Sequence, residues 1–509
     1  MPHKSRETAF ALLVTLLFLA AAGFVISRHE IWRDEAQAWL IAKDSRSLDD
    51  LALRIKFDGH AATWYWGLFL LSRFTSSPLA MQIWHLLLAA GAVFLFARFA
   101  PFPRAARLLF AFSYYAFYEY GVIARNYAIG VLALFLFCAA WKHRRRSLLL
   151  PAASILLLAQ TISTMYVLAV ALTIVLAGEC ILRRRAERPR FLIFAAVVVL
   201  IGLGIGLYQS IPDSASIFSK SLSTEMQVDR AYYIFRLIGK TCLALPDPGP
   251  HFWGSSILTR FASAPITTPL FSALFVLFAL AALFDRPRAL AFYVMSTGAL
   301  CVFYYAAYLG YIRHHGALFL AFLAALWLSA DEKPLRLPGT FLRGAAGWAR
   351  RAVPAVLVAV LAVQTAGTAV AVRYEIELPF SQGKRVAQYI REQGLTDWVL
   401  VGDIYYSLAP ICAYLDRPIY QPFHERWGSY ALWTRPDHLN RGMSQIQDEA
   451  ERLSRETGKE YLLILSYHLD RDSLATRHLR PVAFFGGSIV MDESYYLYRR
   501  DKRTLGVRS

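Results

Sequence analysis

Runs of about 20 apolar residues, each closed by a charged or proline-containing turn, recur along most of this 509-residue chain. An α-helix rises about 1.5 Å per residue, so one such run matches the roughly 30 Å hydrocarbon core of a bilayer. Backbone groups inside that core find no water and must be satisfied within the segment. The pattern therefore restricts the chain to a polytopic α-helical membrane protein. We read eleven spans, near residues 8–27, 79–99, 107–120, 127–141, 148–165, 167–182, 191–209, 266–284, 289–308, 316–330 and 352–372. The first reads as an uncleaved helix, with a cleavable leader ending near Ala20–Ala22 as the alternative.

A formal net charge of +18 raises nucleic acid as a partner, so the location of the excess decides. Six short segments, 1–7, 98–107, 142–146, 183–190, 285–288 and 331–351, hold 21 basic and 5 acidic residues. Basic loops between hydrophobic runs mark the cytoplasmic side of a membrane protein, and nucleic acid becomes unnecessary as an explanation. The alternation places 28–78, 119–126, a loop near 164–166, 210–265, 309–315 and the tail from Arg373 on the opposite, external side. Segment 28–78 carries 7 basic and 7 acidic residues, the balance of an external loop. Residues 63–74 are apolar but short of a span. Counting them as one would put the basic cluster 142–146 outside, so they are expected along the interface, where Trp64, Tyr65 and Trp66 suit the headgroup boundary.

From Arg373 the composition becomes that of a soluble domain, which divides the chain into a membrane part, 1–372, and an external tail, 373–509. Helical patterns at 383–393, 404–414 and 438–457 alternate with β-like runs at 397–402, 461–466, 481–485 and 495–498, an α/β arrangement. The tail has no glycine-rich phosphate loop and no visible chemistry of its own.

Chemistry-bearing residues concentrate on the external side. Asp34 and Glu35 follow the first span. Asp34 is either a reacting carboxylate or the N-cap of a helix running to about Lys43, with Gln37 completing a variant capping box. His60 precedes the aromatic segment that holds Tyr65. Glu119 and Arg125 flank a turn between two short spans and read as an ion pair or as functional charges, because charge at membrane depth is costly. Lys220, Arg230, Arg236 and Lys240 lie among tyrosines and fit an interfacial helix, with one or two free to bind phosphate. Arg313, His314 and His315 stand at the outer mouth of a helix pair. Two adjacent histidines without carboxylates make a weak metal signal, and the five cysteines form no zinc or disulfide pattern.

The order of Asp34–Glu35, then His60 with Trp64, Tyr65 and Trp66, then Ala124, Arg125, Asn126, Tyr127 and Ala128 resembles the GT-C glycosyltransferases, in the branch of protein O-mannosyltransferases and the lipid A aminoarabinose transferase. Ala61 and Ala62 stand where that pattern has two prolines. The resemblance is clearest over residues 8–141. It implies a GT-C-like fold with about eleven spans and juxtamembrane helices, in the bacterial cytoplasmic membrane, with the active site and tail facing the periplasm. It also implies an inverting transfer of a sugar from a polyprenyl-phosphate donor to a hydroxyl of a glycan, lipid or protein acceptor. Asp34 would be the base and Glu35 its neighbour in the catalytic pair. His60, Tyr65, Glu119, Arg125, Tyr127, Lys220, Arg236, Arg313 and His314 would surround the substrates, and a divalent metal could assist, though no ligand set stands out. The rival reading is a lipid or glycan transporter or flippase with an external accessory domain. Its ionisable groups should lie near mid-membrane, whereas here they gather at one surface.

Overall fold

The computed structural model describes residues 2–182, 189–218, 227–335, 339–403, 406–434 and 442–501. The membrane part begins with α1 (Pro2–Ile26), followed by three short helices, α2 (Arg33–Asp44), α3 (Leu48–Ile55) and α4 (Thr63–Ser72), and then α5 (Leu79–Phe99). Next come α6 (Arg104–Ala111), a π-helix (Tyr114–Val122), α7 (Tyr127–Trp141), α8 (Leu149–Ala159), α9 (Ser163–Leu182), α10 (Pro189–Ser210) and α11 (Val228–Cys242). Four long helices complete the bundle: α12 (Ala264–Leu283), α13 (Pro287–Ala306), α14 (Ile312–Ala330) and α15 (Thr340–Glu377).

Among the described residues, eight helices are long and apolar enough to cross a membrane, and α7 and α8 are shorter apolar helices. Ile193, Phe194 and Leu200 of α10 face outward, a surface that hydrocarbon covers and water does not. Helix α14 is buried along nearly its whole length and forms the centre of the bundle. The chain is a multi-pass membrane protein with the expected helix order.

Three of the expected spans are cut differently. Residues 107–120 are not one helix: α6 stops at Ala111 and the chain restarts as the π-helix, whose Ile123 N–H reaches the Tyr118 carbonyl at 3.2 Å. The freed Phe112 carbonyl accepts a hydrogen bond from Thr368 Oγ of α15 at 2.8 Å, which is how broken backbone persists inside a bundle. The run at 148–165 ends at Ala159, where Gln160 donates to the Gly202 carbonyl at 2.6 Å. Helix α15 begins at Thr340, inside the segment read as a loop, and continues past residue 372 to Glu377. Helix α4 has ten residues, too few to cross, and packs on α2.

The basic loops meet at one end of the bundle. Glu179 binds Arg144 at 3.3 Å and Arg288 at 2.6 Å, Glu332 accepts from the Arg288 and Ala289 amides, Arg350 pairs with Asp285, and Glu7 with Arg104 and Arg107.

The tail folds into a six-stranded mixed sheet flanked by α16 (Gly383–Glu392), α17 (Ala409–Leu415), α18 (Met443–Thr457) and α19 (Arg471–Thr476). Its strands are β1 (Val399–Gly402), β2 (Ile419–Gln421), β3 (Arg426–Gly428), β4 (Tyr461–Leu465), β5 (Leu479–Phe485) and β6 (Tyr495–Arg500), in the order β3-β2-β1-β4-β6-β5. The central pairs β1–β2 and β1–β4 are parallel and the flanking pairs antiparallel. Strands β1 and β4 are buried throughout, which is why they read as apolar runs; β2 is buried as well but ends in Gln421 and gave no such signal.

Candidate active site

Helix α2 carries the site, and its start is set by Glu35. The Glu35 carboxylate accepts the Trp32 N–H at 3.2 Å, three residues back, and so caps the helix. This corrects the sequence expectation for the cap: Asp34 sits inside the first turn and Gln37 does not cap. Glu35 is fully buried, and its other oxygen accepts the Ala124 N–H at 2.6 Å, which fixes the turn that presents Arg125. It also bonds His29 at 2.9 Å. The other nitrogen of that ring meets Glu375 of α15 at 2.7 Å, and Tyr118 donates to the same carboxylate at 2.5 Å. Burial disfavours charge on His29, but the flanking Glu35 and Glu375 outweigh it and hold the ring protonated well above the usual imidazole range.

With Glu35 turned inward, Asp34 is left part-exposed and meets two cations. Arg125 pairs with its Oδ2, and Arg313 of α14 lies 3.5 Å from the same atom. Burial raises the proton affinity of Asp34, but Arg125, Arg313 and Arg33 together overcome that and hold it below the ordinary carboxylate range. Arg313 is stacked among Trp32, Trp253 and Tyr311, its guanidinium carbon 5.1, 5.0 and 4.7 Å from the ring centres. The Arg313 carbonyl accepts Tyr120 OH at 2.7 Å, and His314 Nδ1 accepts the Tyr311 N–H at 3.0 Å. Gly316 makes this approach feasible, since a Cβ there would come 2.2 Å from the Tyr120 hydroxyl and 2.6 Å from the Tyr115 ring. Tyr127 stacks on Tyr120 at 5.1 Å and faces His314 at 5.9 Å.

The loop after α3 adds a carboxylate that the sequence reading passed over. Asp58 accepts Tyr65 OH at 2.8 Å and Gln37 Nε2 at 3.3 Å. Burial pushes it up to about 7 despite those bonds and Arg125, and the Asp34 charge adds to the rise. The neighbouring His60 is pushed down to about 4 by burial and by Arg125, so its ring is neutral near pH 7. No sequence signal marks Asp58: its partner Gln37 shares a face of α2 with Asp34, but the contact that joins Asp58 to that face is tertiary.

Asp34, His60, Tyr65, Arg125, Tyr127, Arg313 and His314 thus gather around one site. Glu119 does not pair with Arg125; it is buried and accepts Trp253 Nε1 at 3.1 Å, so it touches the aromatic wall behind Arg313. Arg236 contacts the Ala264 carbonyl at 3.4 Å and the Tyr232 ring, apart from this group. Lys220 lies outside the described residues. Among the described residues no group of three or more His, Cys, Asp or Glu side chains is arranged to hold a metal.

No family model matches the chain, and no curated protein matches it. Its structure is similar to the crystal structure of ArnT from Cupriavidus metallidurans bound to undecaprenyl phosphate, with a TM-score of 0.52 and 12% sequence identity over 97% of this chain and 99% of that one. The apo form of ArnT from the same organism gives a TM-score of 0.50 at the same identity and coverage. The likeness spans the helical bundle and the tail together, and the chain has the ArnT fold, the GT-C architecture expected from its sequence.

Proposed function

We propose that the protein is an inverting glycosyltransferase of the bacterial cytoplasmic membrane that moves a sugar from a polyprenyl-phosphate donor to an acceptor hydroxyl on the outer face. The observation that carries this reading is Asp34 held between Arg125 and Arg313 at one end of an apolar bundle. A base and two cations at a membrane surface suit a reaction in which a hydroxyl attacks and a phosphate leaves. The ArnT structure that contains undecaprenyl phosphate supports the class of donor. The basic loops joined at the opposite end support the orientation, with the site and the tail outside.

The acceptor oxygen attacks the anomeric carbon while its proton passes to Asp34, and the bond from that carbon to the phosphate oxygen breaks. Negative charge grows on the departing polyprenyl phosphate, where Arg125 and Arg313 stabilise it. Both arginines hold Asp34, so a donor phosphate competes for them. As it draws their charge away, Asp34 gains proton affinity when the acceptor needs a base. Glu35 acts through Ala124 and His29 as a positioning residue. The division into a catalytic membrane domain, 1–372, and an external domain, 373–509, goes with this reading, with α15 carrying the membrane part on to Glu377.

The test is to supply the purified protein in lipid with polyprenyl-phosphate sugars and candidate acceptors and to measure released polyprenyl phosphate. Release that requires acceptor supports the transferase. Movement of the intact donor across the bilayer without release would replace it with a flippase.

A further inference from the structure

Helix α2 is held by the tail along its whole length. The Ile31 N–H donates to Tyr414 OH at 3.0 Å, the Arg33 N–H to Glu493 at 3.0 Å, and the Arg33 guanidinium pairs with Asp492. At the far end Lys43 pairs with Asp416, and Ser429 bonds Asp44. In the middle, the buried Gln37 amide bonds one residue of the tail in both directions: its Nε2 donates to the Ala431 carbonyl and its Oε1 accepts the Ala431 N–H, each at 2.8 Å. The same Nε2 also reaches Asp58 Oδ1 at 3.3 Å.

We propose that Gln37 is a positioning residue through which the tail segment at Ala431 holds Asp34 and Asp58 in a fixed relation, so that the C-terminal domain is a working part of the transfer site. Three features carry this. Gln37 lies one helical turn from Asp34 on the same face of α2, so any rotation or shift of α2 that moves one moves the other. Its amide is buried and uses both ends on a backbone unit of another domain, a geometry that a slipped helix would break at a cost of unpaired buried polar groups. The loop it reaches is tied to the same tail region, since Arg54 bonds Tyr430, Ser216 bonds the Phe57 carbonyl at 2.8 Å, and the Ile217 N–H meets the Trp433 carbonyl at 2.8 Å. The tail thus grips both the helix that bears Asp34 and the loop that bears Asp58.

The groups facing Asp58 are Tyr65 of α4, Gln37 and Asp34 of α2, and Arg125 of the turn before α7. Loss of the Gln37 donor removes a hydrogen bond to the ionised form, so Asp58 should hold its proton to higher pH.

The inference rests on the transferase reading for its kinetic test and stands apart from it in a structural one. In Gln37→Met, similar in length and without hydrogen bonds, kcat should fall about tenfold or more with donor KM within about twofold, as expected for lost positioning. The charges of Asp58 and Asp34 raise each other's proton affinity, so an ionised Asp58 strengthens the base. The acid limb of kcat should therefore move to higher pH with Asp58, and Asp58→Asn in the same background should abolish that move. Unchanged kcat, or a loss without any shift of the acid limb, would overturn the proposal. Amide exchange across residues 33–44 reads the grip without turnover: it should accelerate in Gln37→Met, and unchanged exchange would equally overturn the proposal. Absence of turnover in the wild type would count against the transferase reading alone, because the exchange experiment still decides this one.

Discussion

Arg313 stands 3.5 Å from the Asp34 carboxylate, joining the first residue of the site to one nearly 280 positions later in the chain. Their meeting brings the first turn of α2 to the first turn of α14, with the Trp32 and Trp253 rings closing around the guanidinium. A cation enclosed by aromatic rings and held by one carboxylate keeps a fixed place until another anion draws on it. In the proposed mechanism the donor phosphate is that anion.

Asp34→Asn should abolish transfer, by about 10²–10⁴-fold as for loss of a general base, while the protein inserts and unfolds near the wild-type temperature. The amide still accepts from Arg125 and Arg313 but cannot take a proton at neutral pH. Release of polyprenyl phosphate at near the wild-type rate would remove Asp34 from the mechanism.

Arg313→Gln should lower turnover by about 10²–10³-fold, the range for removing one donor to developing negative charge. Stability should fall little, since Arg125 stays paired with Asp34 and leaves that carboxylate with a cation. Arg313→Lys should recover part of the rate by keeping the charge, and not all of it, because an ammonium does not stack among three rings as a guanidinium does. Parallel measurements of turnover and thermal unfolding distinguish this from a structural ion pair, which would lose both together.

What could be read from the sequence followed from period and hydropathy. Long apolar runs gave the helix order, Asp34 and Arg125 stood out through the motif order that resembles the GT-C glycosyltransferases, and Arg313 through its place at the outer mouth of a helix pair. What escaped depends on tertiary partners. The break at Phe112 is masked by apolar residues on both sides and is stabilised by Thr368, far away in sequence. Glu35 and Asp34 are adjacent and chemically alike, and only the positions of His29 and Ala124 decide that one turns inward. Asp58 looked like an ordinary loop acid because its proton affinity comes from burial against Tyr65 and Gln37.

Asp58 also gives a stability signature. Its folded-state value of about 7 lies above the ordinary 3.8, so the folded protein binds the proton more tightly than the unfolded chain. Its contribution therefore favours folding below about 4 and declines as pH rises to about 7. Other groups titrate in the same window, so the comparison that isolates it is wild type against Asp58→Asn. The difference in unfolding temperature between pH 5 and pH 8 should shrink in the variant. An identical difference in both proteins would mean that Asp58 is not held neutral by the fold.

His29 carries the opposite lesson, a charge that stabilises because it is enclosed. Its two nitrogens serve Glu35 and Glu375 at 2.9 and 2.7 Å, with all three side chains shielded from solvent. Replacing it in His29→Leu leaves two buried carboxylates without their shared cation, a change that typically costs about 3–5 kcal/mol. The folded-state value is raised, so the wild-type contribution is fully present below about pH 6.5 and is lost as pH rises through that higher value. Thermal unfolding in lipid nanodiscs across this range should show a deficit in the variant that is largest at low pH and narrows as the wild-type ring loses its proton. Because Glu35 also fixes Ala124, the turnover of His29→Leu should fall even at temperatures where the variant remains folded, and normal turnover there would separate the buried network from the site it supports.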